Sequence, residues 1–205
     1  MAIITDIRQN RGMVELVAEG ATFARVRKVH FDKCPVAVGD EIDEDAWLNR
    51  MAAAQFSDAY EAALSNLDRS ERTARGLANT LRRKGFVQPA IDAVLARLTE
   101  SGLIDDARYA QRMAELSVSK PVGLYAFKRK LRARGISEDD AEDALSAFDD
   151  DQQRAAALQA AHKLSKKYEA LPEREARAKL SQALARRGFG WDAIGSAVEE
   201  MFGED

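Results

Sequence analysis

The sequence predicts a mainly α protein: three tandem three-helix repeats forming an elongated, curved array, preceded by a small antiparallel β segment. The first observation behind this is a block written three times, Leu81-Arg-Arg-Lys-Gly85-Phe86, Leu131-Arg-Ala-Arg-Gly135-Ile136 and Leu184-Ala-Arg-Arg-Gly188-Phe189, with glycines 50 and then 53 residues apart. The second is the apolar pattern after each block: Ile91, Val94, Leu95, Leu98; Ala141, Ala144, Leu145, Phe148; Ile194, Ala197, Val198, Met201. Each set has the i, i+3, i+4, i+7 spacing of one helix face. The third is a change of texture near residue 44, from short β-rich runs to continuous helical periodicity.

In chain order, Ile3–Arg8, Met13–Ala18 and Thr22–Phe31 are rich in β-formers and are separated by the turn signals Asn10-Arg11-Gly12 and Glu19-Gly20. Phe23, Arg25, Arg27, Val29 and Phe31 alternate with Ala24, Val26 and Lys28, which predicts a half-exposed strand through Phe31. Gly39-Asp-Glu-Ile-Asp43 closes a sheet of three or four strands, too small to stand alone and packed on its neighbour. The extension is assigned to 1–52 and the repeats to 53–102, 103–148 and 149–205.

Phe56, Tyr60, Ala63, Leu64 and Leu67 trace one helix face, and Ser70 is placed to cap the next helix. Leu77 and Leu81, Phe127 and Leu131, and Leu180 and Leu184 fall eight and four residues before the three glycines, so the middle helix of each repeat buries the same stripe. The glycine stands where a helix stops with positive φ, and Phe86, Ile136 or Phe189 makes the hydrophobic contact that follows such a cap. Pro89 fits a first turn, Ser137 a cap, Pro121 a break between the first two helices of repeat two, and Pro172 the start of the middle helix of repeat three.

Apolar residues make up 46%, ample for packed cores, and the formal charge of −3 argues against a protein held to DNA merely by being cationic. The charges are segregated: six basic and no acidic residues from Lys120 to Arg134, then five acidic of six from Glu138 to Asp143, then Asp149-Asp150-Asp151. This pattern fits either solvated faces or a basic surface with its own partner. The single Cys34 excludes an internal disulfide, and with no apolar run of signal or membrane length the expectation is a cytoplasmic chain.

No catalytic residues, metal ligands or cofactors are expected. His30 and His162 carry no metal-ligand spacing, and no Gly-rich phosphate loop is present. Asp105-Asp106 begins a helix, where carboxylates accept orphan N–H groups. Cys34 reads as a semi-buried thiol without a patterned base. An enzyme is not expected.

The chemistry that is present is cationic. Arg82, Arg83 and Lys84; Lys128, Arg129, Lys130, Arg132 and Arg134; and Arg186 and Arg187 cluster just before the glycines. A cation at a helix C-terminus complements the dipole by roughly 0.3–1 kcal/mol, which accounts for one per helix. Five within seven residues on the central helix exceed that need and point to a surface for phosphates or an acidic protein groove. Phe86, Phe189 and Trp191 are expected in staples and core rather than as base-stacking rings.

At these residues the chain resembles the RecX family of bacterial RecA regulators. The resemblance rests on Arg-Lys-Gly85-Phe86 with Ile91 and Leu95, Gly102-Leu-Ile-Asp105-Asp106-Ala-Arg108-Tyr109-Ala110, and the blocks at Gly135 and Gly188. It covers about Asp58 to Met201, and Gly39–Asp43 and Ala59–Leu64 are similar to longer members with an N-terminal extension. It implies a non-enzymatic modulator that binds RecA filaments on single-stranded DNA, opposes their growth and dampens RecA's ATPase, strand-exchange and co-protease activities. The chain departs from the family at Ser117-Val-Ser-Lys120-Pro121-Val-Gly123, so no cationic contact carries over to the end of that helix. The expected partners are the RecA nucleoprotein filament and single-stranded DNA, reached directly or through RecA, with no membrane and a monomeric chain. The rival readings are a stand-alone nucleic-acid-binding repeat protein and a scaffold for an unrelated protein.

Overall fold

A computed structural model of the chain describes residues 1–118, 120–146 and 148–203. Ser119, in the segment that departs from the family, and Glu204 and Asp205, at the end of repeat three, lie outside them. The chain divides into two compact units, Met1–Asp105 and Asp106–Asp205.

The first unit opens with β1 (Ala2–Asn10), β2 (Met13–Ala18) and β3 (Ala21–Arg27), followed by a one-turn helix α1 (Lys28–Phe31) and the short β4 (Glu41–Ile42). The sheet order is β3-β2-β1-β4 and every pair is antiparallel. Two-residue turns join the hairpins, with Arg11 and Gly12, then Glu19 and Gly20, all at positive φ. That backbone matches the right-handed twist of paired strands.

Ile4, Val14, Leu16, Ala24 and Val26 face inward and meet Trp47, Met51, Val87 and Ala90. The predicted strand through Phe31 stops instead at Arg27, where the Lys28 amide donates to the Gly12 carbonyl (2.8 Å) and the chain coils. The turn of helix buries His30 and Phe31 at adjacent positions, which the period-two alternation of a strand could not do.

Three helices follow: α2 (Glu44–Leu67), α3 (Ala74–Arg83) and α4 (Gln88–Glu100). Helix α2 is continuous across residues 52 and 53. Trp47 and Met51 lie under the sheet, while Ala59 and Ala63 belong to the core of the first repeat. The expected cap Ser70 is displaced by Thr73, whose hydroxyl accepts from the Gly76 amide at 3.1 Å; the residues between α2 and α3 remain turn and loop, so the helix starts three residues later. Pro89 lies in the first turn of α4.

A buried polar clamp joins these parts. The Val87 amide donates to Gln55 Oε1 (2.8 Å), which fixes the amide so that Nε2 donates to the Gly85 carbonyl (3.0 Å) and faces His30 Nδ1 (3.4 Å). Nδ1 is then the acceptor, and His30 Nε2–H donates to Asp58 Oδ2 (2.8 Å). That hydrogen bond is the main cause holding the Asp58 pKa below the ordinary aspartate value; desolvation opposes it, and the nearby Lys33 charge adds attraction.

The second unit holds α5 (Asp106–Val118), α6 (Leu124–Ala133) and α7 (Glu138–Leu145), then α8 (Asp150–Ser165), α9 (Glu173–Arg186) and α10 (Trp191–Phe202). Ser137 caps α7, Pro172 precedes α9, and Asp149 with Gln152 forms a capping box on α8. The three cores correspond position by position. Leu77, Phe127 and Leu180 are buried, as are Leu81, Leu131 and Leu184, then Phe86, Ile136 and Phe189. The protein is therefore a small antiparallel β segment followed by three three-helix domains.

Candidate partner-binding surface

The middle helix of each repeat ends in the same motif. Gly85, Gly135 and Gly188 have φ of 84°, 85° and 82°. The amides of Phe86, Ile136 and Phe189 donate to the carbonyls of Leu81, Leu131 and Leu184 at 3.3, 3.2 and 3.3 Å. The glycine amides donate to Arg82, Arg132 and Ala185. These are Schellman caps, and they leave the cations of the last turn at a helix end whose dipole favours positive charge.

Each of the two glycine loops at Gly85 and Gly188 is received by the part of the chain that precedes its repeat. A Cβ on Gly85 would run into Met13 and crowd the Arg27 backbone, both of the sheet. A Cβ on Gly188 would run into Ala126 at the start of α6, and one on Gly123 would overlap the Gly188 carbonyl. The Tyr125 amide donates to the Gly188 carbonyl at 3.0 Å, and the Leu124 amide to Gln153 Oε1 at 3.2 Å. The sheet thus stands to repeat one as repeat two stands to repeat three.

The ten cations expected at the surface fall into two sets. Lys128 is bonded to Glu138 and, at 3.0 Å, to Glu142, and its side chain is only 22% exposed. Arg132 donates from Nε to Glu138 (2.7 Å). Arg134 lies over the Tyr109 ring (5.5 Å to its centroid) and donates to the Tyr109 hydroxyl. The acidic run that looked separate in sequence is therefore folded against the basic one by the α6–α7 turn. The hydrogen bonds that Lys128 donates to Glu138, then to Glu142, raise its pKa, and those that Glu138 accepts from Lys128, then from Arg132, lower its own.

The other set has no acidic partner among the described residues. Arg82 donates to Asn79 (2.7 Å) and Gln88 (2.8 Å), and Arg83 to Thr80 (3.4 Å). Lys84, Arg129, Lys130, Arg186 and Arg187 are exposed, and their side chains make no hydrogen bond or ion pair among the described residues. Arg72, just before α3, and Arg75, in its first turn, are two further exposed cations that the sequence reading did not single out. From Arg72 to Ile91 there are five basic and no acidic residues, a signal hidden by attending only to the residues next to the glycine.

One pair shows how the repeats diverge. Arg82–Gln88 and Arg132–Glu138 occupy equivalent positions and make equivalent bonds; repeat three has Ala185 and Trp191 there. Trp191, expected in the core, is instead 74% exposed, because it opens α10 on the solvent side while the inward positions go to Ala193 and Ile194. Phe86 and Phe189 are buried as expected.

Among the described residues no group of three or more His, Cys, Asp or Glu side chains could hold a metal ion. No helix among them is long and apolar enough to cross a membrane.

Three family models match in order: the first three-helix domain of RecX over residues 59–98, the second over 105–145 and the third over 150–198. The chain is 33% identical over 155 residues to a regulatory protein RecX of Chlorobium phaeobacteroides, covering 74% of this chain and 99% of that one. It is 30% identical over 168 residues to that of Limosilactobacillus reuteri, covering 82% of this chain but only 62% of the relative's length. A crystal structure of regulatory protein RecX superposes with a TM-score of 0.67 at 27% identity, covering all of both chains. Triplicated caps, equivalent cores and these likenesses agree: the chain belongs to the RecX family.

Proposed function

We propose that the chain is a non-enzymatic regulator that binds RecA filaments on single-stranded DNA and inhibits RecA's ATPase, strand-exchange and co-protease activities. In this reading it acts in the cytoplasm as a monomer, as a negative modulator of homologous recombination, DNA repair and the SOS response. The observation that carries the reading is the set of exposed cations without acidic partners at the ends of the middle helices, in a chain whose relatives are named regulatory proteins. Arg82, Arg83 and Lys84, Arg129 and Lys130, and Arg186 and Arg187 supply charge that no carboxylate among the described residues pairs with. Lys128, Arg132 and Arg134 contribute by holding α6 in place for Arg129 and Lys130. A net charge of −3 favours a composite of acidic protein and phosphate over free duplex DNA.

The test adds the full chain to preformed RecA filaments on single-stranded DNA and follows ATP hydrolysis. Falling hydrolysis supports the reading, and unchanged hydrolysis at saturating protein contradicts it. A stand-alone nucleic-acid binder is the second reading, favoured by the unpaired arginines themselves. It predicts DNA affinity falling steeply with salt and no effect on RecA.

A further inference from the structure

Two large aromatic side chains of the second unit stand in solvent, Trp191 at 74% and Tyr125 at 65% exposure. They flank one point of the backbone. The Tyr125 amide is bonded to the Gly188 carbonyl, its ring edge lies 3.9 Å from where a Cβ on Gly190 would stand, and Trp191 is the next residue. Arg129 is one turn beyond Tyr125 on α6, while Arg186 and Arg187 end α9 just before this loop. None of the three side chains has a hydrogen bond or ion pair among the described residues. Asp192, beside Trp191, lies in the first turn of α10, where the helix dipole favours its charge.

We propose that Tyr125 and Trp191, with Arg129, Arg186 and Arg187, form a platform on which single-stranded nucleic acid stacks its bases. Apolar rings held in water beside unpaired cations suit a ligand that carries both flat faces and negative charge, and an unpaired strand presents both at every nucleotide. Arginine adds planar stacking to charge, which lysine could not. The comparison among the repeats shows what was exchanged. Where repeats one and two tie this position to the middle helix through Arg82–Gln88 and Arg132–Glu138, repeat three gives up the tie and presents a free indole. The proposal rests on the regulatory reading only in taking single-stranded DNA as the strand present.

The test needs no RecA. Trp47 is fully buried with its indole N–H on the Cys34 carbonyl, so the solvent-exposed, red-shifted part of the emission belongs to Trp191. Oligothymidylate of roughly 16 nucleotides should quench that part, whereas inorganic polyphosphate should not. By fluorescence anisotropy of a labelled oligothymidylate, Trp191→Ala and Tyr125→Ala should each bind about tenfold more weakly. Trp191→Phe, which keeps a ring, should stay close to wild type. Trp191 is too exposed for these changes to threaten the fold. Absence of oligothymidylate binding, equal quenching by polyphosphate, or wild-type affinity in Trp191→Ala overturns the platform whatever the protein does to RecA. Quenching by oligothymidylate with no effect on RecA's ATPase sustains the platform and defeats the regulatory reading.

Discussion

Gly123 and Gly188 meet backbone against backbone, so that neither has room for a side chain and the start of α6 rests directly on the cap of α9. This contact orders the last two repeats with respect to each other within the second unit and sets Tyr125 beside Gly190. Substituting Gly123 by Ala should destabilise the second unit by about 1–3 kcal/mol, the range for forcing atoms into a filled contact. Gly188→Ala should cost more, because its φ of 82° adds the strain of a left-handed backbone. Urea unfolding of the full chain checks both. Two variants as stable as wild type would show that the contact is not tight.

The clamp around Gln55 makes a second prediction. Gln55→Leu leaves the buried Val87 amide and Gly85 carbonyl without their side-chain partner, and should lower stability by about 2–4 kcal/mol. Because Gln55 reaches both the sheet side and the α3 cap, the loss should appear in the whole first unit. Hydrogen exchange at Phe86, Val87 and Phe31 reads this directly; faster exchange confined to one of the two sides contradicts it.

Asp58 gives that unit an acid-side pH dependence. Its folded pKa lies below the ordinary aspartate value, so ionised Asp58 contributes stability above that value, and the contribution is lost as pH falls through the lowered pKa. Asp58→Asn should flatten the fall in urea midpoint on acidification while leaving the neutral-pH slope alone. An unaltered acid profile would remove Asp58 from the account.

Glu138 and Glu142 restrain two cations. Glu138→Gln with Glu142→Gln should free Lys128 and Arg132 for a polyanion and steepen the salt dependence of filament binding, since each added phosphate contact releases counterions. Glu138 ionises below the usual range and Lys128 deprotonates above it. Their mutual support is therefore present across the middle of the pH scale, fading below the lowered pKa and above the raised one. The measurement is filament affinity against salt concentration, and identical slopes for wild type and the double variant contradict the assignment.

The repeat architecture was legible because its signals are local. A glycine eight residues after Leu77, Phe127 or Leu180 reports a backbone conformation that few other residues adopt, and the hairpin turns at Gly12 and Gly20 work the same way. Less legible was everything decided between elements. Lys128 and Arg129 are neighbours of equal charge, yet one faces Glu138 on α7 and the other faces water, a difference set by the angle between two helices. His30 and Phe31 continued the alternation of β3 on paper, but burial of both at once required a turn of helix. Trp191 looked like core by its apolar character, and its position at the first residue of α10 decided otherwise. The cations to which the proposed function is assigned are those that have no acidic partner among the described residues.

That distinction is tested most directly by charge reversal within one assay, inhibition of RecA's ATPase on preformed single-stranded-DNA filaments. Arg82, Arg83 and Lys84 changed together to Glu, combined with Arg129→Glu and Lys130→Glu, should abolish inhibition in a chain whose helical circular dichroism is unchanged. Full inhibition by that folded variant would contradict the claim that the unpaired cations at the ends of the middle helices make the binding surface.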